Sequence, residues 1–150
     1  MVTAILLTLF LLGACAFIHY EVLRAIFDVM ERLTVPPHPR LLFVIGAAAV
    51  GHFLEILLFA VAYFYMHNQE GLGQMLGLHN GTFVDFIYFS AATYTTLGIG
   101  DLFPNGHMRM LVGAESLSGL ILIGWTTSFT YLAMRDFWGL HPPRRRRRKK

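Results

Sequence analysis

Residues 93–101, Thr-Tyr-Thr-Thr-Leu-Gly-Ile-Gly-Asp, carry the groups of this sequence best suited to bind a dehydrated cation. Gly98 and Gly100 accept positive φ without steric cost, so an extended backbone here can turn successive carbonyl oxygens to one side. Four such segments around an axis would stack rings of oxygens that replace the water shell of a cation. The Thr96 hydroxyl would add the innermost ring, and Asp101 would concentrate cations at the outer mouth.

Three ionisable residues fall inside otherwise apolar segments, where such groups are costly and usually face protein or water. His52 and Glu55 are three residues apart and therefore share one face of a helix. We expect this pair to form a structural hydrogen bond between helices. Proton sensing and metal binding are the alternatives, and a metal would need further ligands on facing helices. The third residue, Glu115, is expected to give structural support near Tyr94 or Thr95.

Long apolar segments must position these residues. Residues 2–18, 41–66 and 110–134 have the length of about 17–25 apolar residues that a membrane span requires. The first pattern continues helically toward residue 32. Three prolines within residues 36–39 separate it from the second segment, because proline ends helices.

Residues 82–95 are apolar and aromatic but too short to cross a bilayer, so we expect a re-entrant helix. Thr82, followed three residues later by Asp85, predicts a capping box at its start. The sequence therefore predicts an all-α membrane protein with three transmembrane helices, a re-entrant pore helix and a filter loop. One filter segment cannot enclose an axis, so a homotetramer is expected.

The predicted parts are a first transmembrane helix with a cytoplasmic extension (1–33), a Pro-rich cytoplasmic linker (34–40), a pore domain (41–134) and a basic cytoplasmic tail (135–150). Within the pore domain we expect an outer helix (41–66), an external loop (67–81), a pore helix (82–95), a filter (96–101) and an inner helix (109–134).

The distribution of charged residues bears on whether the chain binds nucleic acid. Charged residues make up 14% of the chain, against about 25% in soluble domains. Seven of the twelve Lys and Arg form the terminal run 144–150, and the rest of the chain has five Arg against nine acidic residues. A nucleic-acid-binding protein spreads basic residues over a folded face, so nucleic acid is not expected as a partner. The single cysteine, Cys15, excludes an intramolecular disulfide and a cysteine-based zinc site.

Basic residues near the span ends predict the orientation, because they remain on the cytoplasmic side. The connection 19–40 contains three Arg and is expected in the cytoplasm, whereas the connection 67–108 has three acidic residues without Lys or Arg and is expected outside. The amino terminus would then lie outside and the carboxyl terminus in the cytoplasm of a cell membrane, which we take to be a bacterial inner membrane. The tail is expected to contact anionic lipid through Arg144, Arg145, Arg146, Arg147, Arg148, Lys149 and Lys150.

The segment Thr96-Leu97-Gly98-Ile99-Gly100-Asp101 resembles the potassium-channel signature T-V/I-G-Y-G-D. The resemblance covers about residues 41–134, in the order outer helix, pore helix, filter and inner helix. A bacterial subgroup that reads T-Y-T-T-L-G-Y-G-D, with an inner-helix Glu and Gly-Trp-Ser/Thr-Thr, is closer still. Its motifs match residues 93–101, Glu115 and Gly124-Trp125-Thr126-Thr127.

The resemblance implies a passive K⁺ channel that is not an enzyme and has no cofactor beyond the transported ion. The implied K⁺ ligands are the Thr96 hydroxyl and the carbonyls of Thr96, Leu97, Gly98 and Ile99, and Gly100 completes the ion-binding segment. The implied supporting residues are Tyr94, Thr95, Asp101 and Glu115, and Gly119 falls where the family often has a hinge glycine.

One residue departs from the family pattern. Ile99 stands where the family usually has Tyr, whose hydroxyl ties the filter to aromatic residues behind it. We therefore expect a filter that is held less tightly, with weaker selectivity or easier collapse. The alternatives to a selective channel are a weakly selective cation channel, a non-conducting membrane subunit, and a membrane enzyme or redox anchor that uses His19 and His52.

Overall fold

The computed structural model describes residues 1–32 and 36–137. Its elements are α1 (Val2–Arg32), α2 (Pro37–His67), β1 (Met75–Gly77), α3 (Phe83–Tyr94), β2 (Leu102–Pro104) and α4 (Met108–Phe137). The helices α1, α2 and α4 are each long and apolar enough to cross a membrane. The predicted helical membrane fold, with three spans and one short helix, is therefore confirmed for the single chain. The tetramer stays a prediction.

One expected boundary at the first connection is wrong. α2 begins at Pro37 and not at residue 41, so residues 37–40 belong to the helix and not to a linker. Proline is tolerated in the first turn because its missing N–H would have no helical partner there. The helical continuation expected toward residue 32 is present, because α1 runs from Val2 to Arg32. His19, although it falls in the expected connection 19–40, therefore lies buried in the middle of a helix.

α1 packs antiparallel to α2. In its first half, Leu11 and Cys15 belong to the same buried cluster as Tyr63 of α2. In its second half, Ile26 shares a cluster with Val44, near the other end of α2. The amino end of α1 therefore lies on the same side of the molecule as the carboxyl end of α2 and the segment that follows it.

The two helices approach each other closely at Gly51. A side chain added at this position would lie 2.9 Å from Cγ1 of Val22, which is tighter than real packing allows. The absence of a side chain on α2 therefore permits the backbones to come together midway along the pair, next to His52.

The predicted external loop 67–81 contains regular structure that the sequence analysis did not foresee. β1 pairs antiparallel with β2, with Met75 opposite Pro104 and Gly77 opposite Leu102. The pairing continues outward, because the Leu78 N–H donates to the Asp101 carbonyl at 3.1 Å. The chain before α3 is thereby fixed to the chain that follows the filter segment.

Candidate functional site

α3 is held at its start by a capping carboxylate. Asp85 Oδ2 accepts hydrogen bonds from the Thr82 N–H and hydroxyl, both at 2.9 Å, and from the Asn80 N–H at 3.2 Å. The Thr82 hydroxyl bond is the main reason that the pKa of Asp85 lies below its ordinary value. The predicted start of the short helix is thus present, and the helix ends at Tyr94 with Thr95 as its C-cap.

The chain reverses direction directly after α3, and one carbonyl group holds the turn. The Ala92 oxygen accepts from the Leu97 N–H at 2.9 Å and from the Gly98 N–H at 3.1 Å. The Thr96 N–H donates to the Thr93 carbonyl at 2.9 Å. The filter segment (residues 96–101) therefore begins from a backbone turn that is fixed to the last turn of the helix.

Positive φ recurs at every second residue of the filter segment. The φ angles are 60° at Thr96, 56° at Gly98 and 87° at Gly100, while Leu97 and Ile99 have negative φ. In a chain that alternates between right- and left-handed conformations, successive N–H groups face one side and the carbonyl groups are free to face the other. This alternation is compatible with a row of carbonyl oxygens that could replace the water shell of a cation.

Thr96 is the informative member of this series. It is the one non-glycine residue with positive φ in the part of the chain that the structure describes. A β-branched side chain is especially unfavourable there, and such strained residues cost about 1–3 kcal/mol and concentrate at functional sites. The side chains of Leu97 and Ile99 are 67% and 55% exposed in the single chain, so the segment is not packed as core.

A tyrosine that the sequence analysis missed holds the outer end of the filter segment. The Tyr88 hydroxyl donates to Asp101 Oδ2 at 2.9 Å, and this bond raises the pKa of Tyr88 above its ordinary value. The signal was available, because Tyr88 lies on the helix that was expected to support the filter. Its hydroxyl supplies a tie between that helix and the filter of the kind that Ile99 cannot make.

Glu115 contacts α3 about one turn before Tyr94, near which it was expected. It is fully buried and contacts Ser90, not Tyr94 or Thr95. The Tyr63 hydroxyl donates to its Oε2 at 2.6 Å, and the Ser90 oxygen lies 2.5 Å from its Oε1 and 2.9 Å from the Ile56 carbonyl. The single Ser90 proton cannot serve two acceptors, so all these bonds form together only when Glu115 is neutral and donates to Ser90.

α4 meets the end of α3 through residues without bulky side chains. The Ser116 hydroxyl donates to the Thr93 carbonyl at 3.2 Å. A side chain at Gly119 would collide with the carbonyl oxygen of Tyr94, so only glycine allows this approach. α4 is continuous through Gly119, and the hinge that was expected at this residue stays a prediction.

His52 and Glu55 are brought together with three residues from other helices. Glu55 is fully buried; His52 Nδ1 lies 3.3 Å from its Oε2, and His19 Nδ1 of α1 lies 3.0 Å from its Oε1. The Tyr94 hydroxyl donates to Glu55, and Thr126 of α4 lies beside both imidazoles. We call these five residues the histidine cluster.

His19 was not expected in this cluster because residues 19–40 were interpreted as a connection. A signal existed, since the buried positions of α1 recur every three or four residues from Ala4 through His19 to Met30. Among the described residues, the ligand atoms of His19, His52 and Glu55 lie within 4.8 Å of one another, so this group could hold a metal ion. The expected lipid-binding residues 144–150 lie outside the described residues.

Comparison with known proteins gives one match. A family model described as "Ion channel" matches residues 51–135, which is more than half of the chain. The matched region begins midway along α2 and includes α3, the filter segment and almost all of α4, and it leaves α1 outside. No curated protein and no solved structure matched the chain.

Proposed function

This chain belongs to the two-transmembrane-helix ion channel family, and on that premise we propose that it conducts K⁺ passively through a homotetrameric pore. α2 and α4 are the two helices of the family module, and α1 is an additional membrane span. The proposed K⁺ ligands are the filter carbonyls of Thr96, Leu97, Gly98 and Ile99, with the Thr96 hydroxyl as the innermost oxygen. The protein acts as a channel and not as an enzyme, and it needs no cofactor beyond the ion.

The alternation of φ along the filter segment is the observation that carries this proposal. Carbonyl groups replace the hydration shell of K⁺ only when several of them point to the ion together. The left-handed conformation of Thr96 supports this interpretation, because strained backbone conformations of this kind are unfavourable and concentrate at functional sites. The sequence Thr-Leu-Gly-Ile-Gly-Asp supports K⁺ as the preferred ion through its resemblance to the potassium-channel signature.

The tetramer is supported by the geometry of the filter, because one chain cannot supply oxygens on all sides of an ion. A single filter segment offers oxygens from one side only, whereas a pore ion is surrounded. The side chains of Leu97 and Ile99 are exposed in the single chain. Ile99 borders a pocket that α3 and α4 also line, and neighbouring subunits would cover both side chains.

The membrane orientation remains the one that the basic residues favour. The filter and the amino terminus would face outside, and the carboxyl terminus would lie in the cytoplasm of a bacterial inner membrane. The run Arg144–Lys150 would contact anionic lipid on the cytoplasmic side.

Ion flux from liposomes that contain the purified protein tests the proposal. We expect flux with K⁺, a smaller flux with Na⁺, and block by Ba²⁺. A Gly98→Val variant, in which a β-branched residue must adopt positive φ, is the non-conducting control. Equal K⁺ and Na⁺ flux would replace the proposal with a weakly selective cation channel, and absence of flux for every ion would favour a non-conducting subunit.

A further inference from the structure

A cavity of about 480 Å³ lies between α1, α2 and α4, at the end of these helices that is opposite to the filter segment. Most of its walls are apolar, and they are formed by Phe27, Met30, Val44, Phe129, Leu132 and Ala133. Two residues of opposite charge, Glu31 on α1 and Arg135 on α4, complete the lining. We call this cavity, with these eight residues, the distal groove.

The distal groove has an apolar inner part and a charged rim. Glu31 is the next-to-last residue of α1, and Arg135 lies two residues before the end of α4. Phe129 precedes Arg135 by six residues, so it lies about 9 Å deeper along the helix axis. Phe27 and Leu132 are 54% and 46% exposed in the single chain, so the inner part opens toward the hydrocarbon of the membrane. In the proposed orientation, the rim lies at the cytoplasmic surface.

The guanidinium group at the rim has a donor that is not used. Nε of Arg135 is buried and has no hydrogen-bond partner among the described residues. Such a group is uncommon in native proteins and calls for a partner, such as an ion or a water molecule. The guanidinium group is always charged, and it binds phosphate through two parallel N–H donors. The rim therefore favours a phosphate oxygen beside Arg135.

The carboxylate at the rim adds a second requirement. In the described part of the chain, no ion pair joins Glu31 to Arg135, so the rim presents two separate charges of opposite sign. A primary ammonium group has three N–H donors for a carboxylate, whereas a quaternary ammonium group has none. A head group with a phosphate and a primary ammonium therefore matches both charges.

We propose that the distal groove binds a phospholipid whose head group carries a phosphate and a primary ammonium. The phosphate would accept from Arg135, the ammonium would donate to Glu31, and one acyl chain would lie along the apolar inner part. This site differs from the basic run 144–150, because it selects for a positive group as well as for a negative one. The proposal does not rest on ion conduction.

The lipid would join α1, which lies outside the matched channel region, to the last turns of α4. Phe129 already packs against the buried cluster that includes Ile26 and Val44. The acyl chain would extend this apolar contact to the ends of both helices. Bound lipid should therefore stabilise the folded chain, because it binds the folded form and not the unfolded one.

Native mass spectrometry of the full chain in detergent tests the selectivity. The probes are phosphatidylethanolamine, phosphatidylcholine and phosphatidylglycerol with identical acyl chains. We expect phosphatidylethanolamine to bind about threefold more tightly than the other two, because an exposed ion pair contributes modestly. Equal binding of all three would overturn the proposal in favour of unselective contact with surrounding lipid. Tighter binding of phosphatidylglycerol would overturn it in favour of an anionic lipid.

Two variants at the rim assign the contacts. Arg135→Gln should weaken the binding of all three lipids about tenfold, because each of them contains a phosphate. Glu31→Gln should abolish the preference for phosphatidylethanolamine and leave the affinity for phosphatidylcholine unchanged. Arg109→Gln and Glu70→Gln, at exposed residues near the opposite end of the helices, are the matched controls. A preference that persists in Glu31→Gln, or an affinity that persists in Arg135→Gln, would overturn the proposal.

The melting temperature gives a second measurement on the same proteins. Added phosphatidylethanolamine should raise it for the wild type and for both controls, and less for Arg135→Gln. Ala133→Leu, which fills part of the apolar inner part, should lessen the rise while leaving the melting temperature without lipid nearly unchanged. An equal rise in the wild type, Arg135→Gln and Ala133→Leu would show that the lipid binds elsewhere and would overturn the proposal.

Discussion

At the residue scale, two equally buried glutamates, Glu55 and Glu115, show how hydrogen-bond partners bear on the protonation of a carboxyl group. Glu55 accepts from the Tyr94 hydroxyl and lies beside two imidazole nitrogens, whose roles as donor or acceptor depend on the tautomer. Glu115 faces a hydroxyl that already has an acceptor in the Ile56 carbonyl, so its contacts require the neutral form. The partners of Glu115 therefore require it to donate, whereas those of Glu55 let it either accept from all of them as an anion or donate to an imidazole.

Glu115 gives the first prediction. Glu115→Gln should preserve thermal stability and flux, because the amide donates to Ser90 and its oxygen accepts from Tyr63 as the neutral acid does. Glu115→Leu should destabilise the chain by about 1–3 kcal/mol, because the Tyr63 hydroxyl is left buried without a partner. Thermal unfolding of the purified variants measures both. Equal damage from Gln and Leu would mean that the charged carboxylate is needed.

Ile99 gives the second prediction. Ile99→Tyr should raise the ratio of K⁺ to Na⁺ permeability severalfold, because a hydroxyl at this position can tie the filter to the aromatic residues of α3. Reversal potentials under K⁺ and Na⁺ gradients measure the ratio, with Ile99→Phe as the control that adds the ring without the hydroxyl. Identical ratios in the wild type and the Tyr variant would show that the Tyr88–Asp101 bond already holds the filter.

At the element scale, the short helix α3 is positioned at both of its ends. Asp85 holds the start, and the carbonyl of Tyr94 at the other end packs against Gly119 of α4. The filter segment follows directly from the second of these contacts. Changes at either end should therefore alter the filter without touching a proposed ion ligand.

Gly119→Ala gives the third prediction. The added methyl group collides with the Tyr94 carbonyl oxygen, and overpacking of this kind costs about 1–3 kcal/mol. Gly113→Ala in the same helix meets nothing within 4 Å and should stabilise slightly through helix propensity. The melting temperature and the K⁺ flux should fall for Gly119→Ala only. Similar behaviour of the two variants would contradict the packing role.

Asp85 gives the fourth prediction, on pH. Its pKa is lower in the folded protein than its usual value, so its carboxylate stabilises the fold above the unfolded pKa of about 3.9. This contribution is lost as the pH falls through the lowered folded pKa. Asp85→Asn should therefore lower the melting temperature at neutral pH and lessen its acid dependence. An acid dependence unchanged by the variant would assign it to other carboxylates.

At the scale of the whole molecule, α1 runs antiparallel to α2, and its amino end lies on the side of the filter. In a Cys15→Ala background, a membrane-impermeant thiol reagent should label Val2→Cys and Glu70→Cys from the same side of the membrane. Arg32→Cys should be labelled from the opposite side only. Labelling of Val2→Cys and Arg32→Cys from the same side would contradict a membrane-spanning α1.

Much of this architecture could be predicted from the sequence because it depends on local signals. Apolar length determines the three spans, and the Thr82–Asp85 pair marks the start of α3. The remaining features depend on contacts between residues distant in the chain. His19 meets Glu55 across 36 positions and Tyr88 meets Asp101 across 13, and no local pattern specifies the partner in either contact. The pairing of β1 with β2 brings together strands too short to show an alternating pattern.

The β1–β2 pairing has a consequence for the order of assembly. It closes the re-entrant loop within one chain, and the Ala92 carbonyl holds the turn before the filter within that same chain. The loop therefore needs no neighbouring subunit to reach its folded form. In the proposed tetramer, each subunit would therefore bring this loop already folded, and assembly would join subunits whose filter loops are complete.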